Sequence, residues 1–168
     1  EAAGSAFRDA QIDVLVVIAG TYLPDFITMH AINQIQTHPE VILFSTQTGN
    51  DVNPDDNYIA TMRNSALIAM TQLSGSFRKM KLDYHTVVGE IGDPSAYRRI
   101  AGLTAARSAA KRLKKSTYGL VGHVFRGMYD LEFDRSKVKG FLGPEVMTIQ
   151  AEHLVEQWRA VPDAETAV

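Results

Sequence analysis

The loop 122–130 brings together more chemically active residue types than any other short stretch of the sequence. Two glycines frame His123, Arg126 and Asp130 directly after a run that is typical of a buried strand. Ligands of open α/β sheets bind beyond the carboxyl ends of the strands. We therefore predict a strand-end loop site at these three residues. The alternative is a surface turn that buries its two large apolar side chains, Phe125 and Met128.

Two other predicted strand ends carry polar residues. Thr21 and Tyr22 follow the first apolar run, and Thr46 and Gln47 open a polar stretch that continues to Asp56 and is rich in Asn, Asp, Gly and Thr. Loops of that length inside compact domains are usually functional or mobile. These strand ends are therefore further candidates for ligand contacts.

Several common catalytic and cofactor patterns are absent from the sequence. Gly119, Gly122 and Gly127 lack the G-x-G-x-x-G spacing of a dinucleotide site, and there is no Walker lysine. No two histidines have the spacing of a helical zinc site, and Ser65 lacks the G-x-S-x-G context of a hydrolase nucleophile. We therefore expect no complete catalytic set and no metal site in this chain. A nucleotide-binding doubly wound domain is a weaker alternative that the fold class would permit.

Strands and helices alternate along the chain. We predict strands at Asp13–Gly20, Val41–Ser45, Tyr84–Val88, Tyr118–Gly122 and Val146–Ile149. We predict helices at Pro24–Pro39, Asn57–Lys81 with an interruption near Gly75, Ser95–Lys115 with Ser95 as the cap, Asp134–Phe141 and Glu152–Arg159. The continuous apolar run of the first strand is typical of a central strand covered on both faces.

This alternation predicts an α/β fold made of parallel-sheet βαβ units of the Rossmann or flavodoxin-like type. A new strand begins after the basic end of the long helix, so we place a domain boundary near Lys115. Residues 1–115 would form one domain, and residues 116–168 would form part of a second.

Composition and charge exclude several classes of partner. Of the 168 residues, 45% are hydrophobic and 21% are charged, which is typical of globular domains. The 17 basic and 19 acidic side chains give a net charge of -2, so we expect neither nucleic acid nor a membrane as a partner. The absence of cysteine is compatible with a cytoplasmic protein. Because residue 1 is Glu and a buried-type strand follows soon after, we also expect a processed or excised segment.

Several blocks of the sequence resemble a known family in the same order and with similar spacing. They are Asp13–Tyr22, Ser45–Gln47, Met62–Ala66, Gly122–Leu131, Asp134 and Leu142–Val146. Together they resemble the L-arabinose/L-fucose isomerase superfamily over most of residues 13–158, and the last three resemble the signature of its central domain. The resemblance implies that residues 1–115 are the C-terminal part of the N-terminal domain and that residues 116–168 start the central domain.

The same resemblance implies an aldose-ketose isomerase that acts on L-sugars with a divalent cation, usually Mn²⁺. The family's metal ligands come from later in the chain, so it implies no metal ligand and no catalytic residue here. By match, Tyr22 would form an apolar wall of the sugar site, and Gln47, Asn64 and Ser65 would lie near the sugar hydroxyls. It also implies a homo-oligomer whose subunits share the site.

One departure from the family pattern concerns the substrate. Arabinose isomerases tend to carry glutamine and then histidine after the asparagine that corresponds to Asn64. This chain has Ser65 and Ile68 in the nearest register. An L-fucose-like sugar is therefore an alternative substrate to L-arabinose. A second hypothesis is a non-catalytic sugar-binding or regulatory α/β module whose lobes close on a ligand.

Overall fold

The computed structural model describes residues 2–20, 22–47, 53–55, 57–63, 65–125 and 127–162. Its helices are α1 (Ala2–Asp9), α2 (Asp25–Asn33), α3 (Tyr58–Arg63), α4 (Ala66–Lys79), α5 (Pro94–Lys115), α6 (Arg135–Phe141) and α7 (Ala151–Ala160), with a short 3-10 turn at Tyr129–Leu131. Its strands are β1 (Val14–Ile18), β2 (Glu40–Gln47), β3 (His85–Glu90), β4 (Thr117–Val121) and β5 (Glu145–Ile149). No helix among these residues is long and apolar enough to cross a membrane.

The chain divides into two compact units, Glu1–Ser108 (unit 1) and Ala109–Val168 (unit 2). The division lies inside α5, which contributes residues to both units. Each unit contains a parallel sheet, so the chain has the α/β architecture that the alternation of elements predicts. The assignment of residues 1–115 and 116–168 to two isomerase domains stays a prediction.

The sheet of unit 1 has three parallel strands in the order β1-β2-β3. Val16 of β1 pairs with Ile42 of β2, and Phe44 of β2 pairs with Val87 of β3. Every residue of β2 except its two ends is buried. A strand covered on both faces needs apolar residues on both, which is why β2 shows no alternation of apolar and polar positions before Ser45.

Alternate residues of β2 face two separate apolar clusters. One cluster joins Val41, Leu43, Met29 of α2, and Met70, Leu73 and Phe77 of α4. The other joins Ile42, Phe44, Val87, and Ala96 of α5. Because successive side chains of a strand point to opposite faces, α2 and α4 cover one face of the sheet and α5 covers the other. Unit 1 is therefore a three-layer structure.

Unit 2 contains the parallel pair β4 and β5, in which Gly119 lies opposite Met147. A Cβ at Gly119 would lie 2.6 Å from Ile149 Cδ1, so glycine lets that side chain pack closely on β4. The next helix, α6, begins one residue later than predicted, after Asp134, whose carboxylate accepts hydrogen bonds from the backbone of Ser136 and Lys137. An aspartate in this capping position stabilises the first turn of a helix.

The prediction that the first strand is central was wrong. Within the described residues β1 has a neighbour on one side only, and Val16 and Ile18 are 37% and 54% exposed. Val14 and Val17 nevertheless pack against the two apolar clusters. An apolar run therefore reports burial by the helix layers and does not report how many strands lie beside it.

The helix predicted over residues 57–81 consists of two helices, and the interruption falls before Ala66 rather than near Gly75. Gly75 lies inside α4 with open space around it. A glycine within a helix costs only about 1 kcal/mol relative to alanine, so favourable packing of α4 on the sheet can outweigh that cost. The predicted loop over residues 46–56 begins later than expected, because β2 continues to Gln47.

Three further differences concern the helices. Helix α2 ends at Asn33 and does not reach Pro39, and α1 was not predicted. Gly4 of α1 packs so closely on α2 that a Cβ there would lie 2.6 Å from the carbonyl oxygen of Ala31. The start of α5 is capped by Asp93, which accepts the backbone N–H of Ser95 at 2.8 Å. Ser95 was therefore the wrong choice of cap.

Candidate functional site

The carboxyl edge of the unit 1 sheet brings polar residues of β2 and β3 together. Gln47, the last residue of β2, is the register partner of Glu90, the last residue of β3. The carbonyl oxygen of Gln47 accepts a hydrogen bond from the backbone of Ile91 at 3.1 Å, which extends the pairing beyond the strands. An amide side chain and a carboxylate therefore end adjacent strands at this edge.

Helix α4 begins at the same edge. Ala69 and Met70, near its start, line a small cavity of about 30 Å³ together with Ile18 and Ala19 at the end of β1. Ser65 immediately precedes α4 and is only 3% exposed. Its backbone is well bonded, since its N–H donates to Met62 at 3.1 Å and its carbonyl accepts from Ile68 at 3.0 Å.

The side chain of Ser65 differs from its backbone in hydrogen bonding. Its Oγ is buried and has no hydrogen-bond partner in the part of the chain that the structure describes. Ser65 occupies the N-cap position of α4 but makes no side-chain cap bond. A buried hydroxyl without a partner costs about 1–3 kcal/mol. The structure thus keeps a donor and acceptor ready at the carboxyl edge at some cost to stability.

Thr46 has a second buried hydroxyl of this kind, and its Oγ1 also lacks a partner among the described residues. Thr46 is two residues beyond Phe44 on β2, so it faces the α5 side of the sheet. On that side the ring of Phe44 packs edge-on against Tyr97 at a centroid distance of 5.7 Å. Ser65 belongs to the helix layer on the other face. The two hydroxyls therefore lie on opposite faces of one edge.

Asp93 adds negative charge near the same edge, at the start of α5. Its carboxylate accepts the hydroxyl of Ser95 at 2.6 Å and the backbone N–H of Ser95 at 2.8 Å. These bonds favour the ionised form, and the side-chain bond from Ser95 is the main reason that the pKa of Asp93 is lowered. Asp93 therefore acts mainly as a helix cap.

The sequence predicted Tyr22, Gln47, Asn64 and Ser65 as residues that contact a sugar. Gln47 and Ser65 both lie at the carboxyl edge, as described above. Tyr22 follows β1 and is 46% exposed, so its ring is available to a ligand. Asn64 lies outside the described residues. Glu90 was missed because the third strand was predicted to end at Val88, although the turn residues that follow Ile91 could have indicated the later end.

The predicted loop site in unit 2 is an exposed turn in this structure. His123 and Asp130 are both exposed, and no hydrogen bond or ion pair joins them among the described residues. Arg126 lies outside the described residues. Gly122 and Gly127 adopt φ angles of +76° and +100°, which only glycine takes up easily.

The alternative interpretation of this loop, a surface turn that buries its apolar side chains, was wrong in one respect, because those side chains are not buried. Phe125 is 70% exposed and Met128 is 47% exposed. Large apolar side chains that remain exposed are typical of surfaces that contact another part of a protein. Asp134, a further member of the resembling blocks, is used as the cap of α6. The hydroxyl of Ser136 is the main cause of its lowered pKa.

No group of three or more His, Cys, Asp or Glu side chains that could hold a metal ion occurs within the described residues. The chemistry available at the carboxyl edge is hydrogen bonding by hydroxyl, amide and carboxylate groups. The chain matches no protein-family model and no curated protein with which it was compared.

Proposed function

We propose that this chain is a segment of an aldose-ketose isomerase for L-sugars of the L-fucose or L-arabinose type. Unit 1 would supply a wall of the sugar site, and the metal ligands would come from residues outside this chain. The observation that carries this proposal is the buried, unpartnered hydroxyl of Ser65 at the carboxyl edge of the sheet. It stands at a position where the resemblance independently expects a contact to the substrate.

The residue types at this edge suit a polyhydroxylated ligand. A sugar hydroxyl both donates and accepts, so it can bond the side-chain oxygen or nitrogen of Gln47. It would satisfy the hydroxyl of Ser65 once sugar binding uncovers that buried oxygen. The half-exposed ring of Tyr22 offers an apolar surface for the C–H face of a sugar. Sites of this kind discriminate strongly, because a sugar that lacks the matching hydroxyl leaves the buried protein group unpaired.

The proposal has consequences for the whole protein. The two units would be Rossmann or flavodoxin-like units from the N-terminal and central domains of the isomerase. The active protein would be a cytoplasmic homo-oligomer, and residues of unit 1 would contact sugar bound by a neighbouring subunit. Mn²⁺ would polarise the substrate oxygens when bound, while Ser65, Gln47 and Tyr22 would orient the sugar.

The deciding experiment measures ketose formation from L-fucose and L-arabinose, with Mn²⁺ present, by the protein that contains this chain. We expect turnover of at least one of the two sugars. The Ser65→Ala variant should lose about 5- to 150-fold in kcat/KM, which corresponds to about 1–3 kcal/mol for one hydrogen bond. Tyr22→Ala should also slow turnover. The control is Ser74→Ala, because Ser74 is a partly exposed serine of α4.

No turnover of either sugar would overturn the proposal, and unchanged kinetics in both variants would remove unit 1 from the site. Calorimetry on this chain alone distinguishes the isomerase proposal from the second hypothesis, that of a non-catalytic sugar-binding module. Tight binding of an L-sugar without metal would favour that module. An isomerase wall that forms only part of a site should bind no sugar tightly by itself.

A further inference from the structure

The opposite, amino edge of the unit 1 sheet contains a cavity of about 460 Å³. Glu40 and Val41 at the start of β2 line it, together with Phe77 near the end of α4 and Asp83 just before β3. Its volume falls within the range of small-molecule sites, which is about 300–1,000 Å³. This amino-edge cavity involves none of the residues assigned to the sugar wall.

Arg107 of α5 lines the amino-edge cavity. Its Nε is buried and has no hydrogen-bond partner, and no ion pair engages its guanidinium within the described residues. A guanidinium cannot lose its proton, so it must stay charged where it is. Arg107 as a whole is only partly buried, but a buried N–H donor without an acceptor loses its bond to water without compensation. The guanidinium therefore turns a charged group towards the cavity with at least one donor unsatisfied.

The other charges of the cavity wall leave room for an anion. Glu40 is already engaged, since its Oε1 lies 2.9 Å from Nε2 of His85. Asp83 is the remaining carboxylate, and it forms no ion pair with Arg107 or Lys81 among the described residues. Lys81 and Arg107 thus place two cationic groups against one unengaged carboxylate.

Two residues of the cavity wall have strained backbones. His38 and Lys81 line the cavity with φ angles of +47° and +56°, in the left-handed region that glycine favours. Lys81 follows α4, and the N–H of Leu82 donates to the carbonyl of Phe77 at 3.0 Å, which is the helix ending where glycine is usual. A lysine there is strained, because its Cβ crowds the backbone in the left-handed region. The strained position brings a cationic side chain to the cavity.

We propose that the amino-edge cavity binds a small ligand through an oxyanionic group, either phosphate or carboxylate. Arg107 is the principal contact, because its planar donors match two oxygens of such a group. Lys81 adds charge, and the exposed side chain of Leu82 in the cavity wall receives the carbon skeleton. This site is separate from the sugar wall and does not depend on the isomerase proposal.

The test is calorimetric titration of the full chain with inorganic phosphate, glycerol 3-phosphate, acetate and glycerol, at constant ionic strength held with sodium chloride. We expect saturable binding of phosphate or acetate and none of glycerol. Tighter binding of glycerol 3-phosphate than of inorganic phosphate would assign an organic phosphate. Equal binding would assign the free anion. If no oxyanion binds saturably, the proposal is overturned.

Variants separate a specific site from general charge attraction. Arg107→Gln should weaken binding of the anion by about tenfold or more, as expected for loss of a charged hydrogen bond. The matched control is Arg99→Gln, an exposed arginine of the same helix, which should bind as the unmodified chain does. Equal losses in both variants would overturn the proposal.

A second variant guards against loss of folding in Arg107→Gln. Lys81→Gly relieves the left-handed backbone, so it should raise Tm. The same change removes the cationic side chain and should weaken anion binding. Opposite signs in the two measurements would support the proposal, and a higher Tm with unchanged affinity would exclude Lys81 from the site and contradict it.

Discussion

Replacement of Ser65 by alanine should stabilise the free protein. Most substitutions of buried residues destabilise, because they remove contacts or hydrogen bonds. The Oγ of Ser65, however, is buried and has no partner among the described residues, and it makes no cap bond to α4. Removal of this oxygen therefore ends the cost of an unsatisfied polar group and breaks no hydrogen bond.

The expected magnitude follows from two opposing effects. Removal of an unpaired buried hydroxyl recovers about 1–3 kcal/mol. The small void left by one oxygen atom lowers the gain, at about 24 cal/mol per Å³ of cavity. A net rise of about 1 kcal/mol in the free energy of unfolding is expected, which is a rise of about 2–4 °C in Tm for a chain of this size.

Urea unfolding and calorimetry of Ser65→Ala measure this change directly. The control Ser74→Ala removes an exposed hydroxyl that donates to the carbonyl of Thr71 at 2.9 Å, and its effect should stay within about 0.5 kcal/mol of zero. A loss of stability in Ser65→Ala beyond that of the control would show that its hydroxyl has a partner in the folded protein. The basis for a substrate contact at Ser65 would then be gone.

Two further predictions concern the core and one helix cap. Phe77→Ala should lower the free energy of unfolding by about 3–5 kcal/mol, since Phe77 is 1% exposed and packs edge-on against Tyr84. A loss below about 1 kcal/mol in urea unfolding would contradict this packing. Asp93→Ala should lower the free energy of unfolding at neutral pH but not in acid. The pKa of Asp93 is lowered from 3.8 by folding, so its contribution is present above that value and is lost as pH falls through the folded pKa. A difference between the two proteins that persists unchanged at pH 2 would refute this assignment.

The fold class could be predicted from sequence because each buried strand leaves a strong local pattern. Val41–Phe44 is continuously apolar, and it became the centre of the sheet. The helix predicted over Asp134–Phe141 was placed within one residue of α6, because its pattern depends on residues close together in the chain. Such features depend on near neighbours in the chain, and the sequence displays those directly.

Features that depend on packing between distant segments could not be predicted. The edge position of β1 is decided by which strands pair with it, and its own residues do not record that. The burial of Ser65 depends on how α4 seats on the sheet. Arg107 occupied an ordinary position in a long helix, and its unpaired Nε became evident only once the amino edge was assembled. Unsatisfied groups of this kind are visible only in three dimensions.

The two edges of the unit 1 sheet differ in the chemistry that they offer. We expect the two proposed sites to act independently. At the carboxyl edge, hydroxyl, amide and carboxylate groups suit a sugar, whereas at the amino edge a fixed cation suits an oxyanion. The buried β2 core separates the edges, and distant sites usually contribute additively. Ser65→Ala should therefore leave phosphate affinity unchanged, and Arg107→Gln should leave sugar turnover unchanged. If either substitution altered both properties, the edges would be coupled, and the amino-edge cavity would be a regulatory site for the sugar wall.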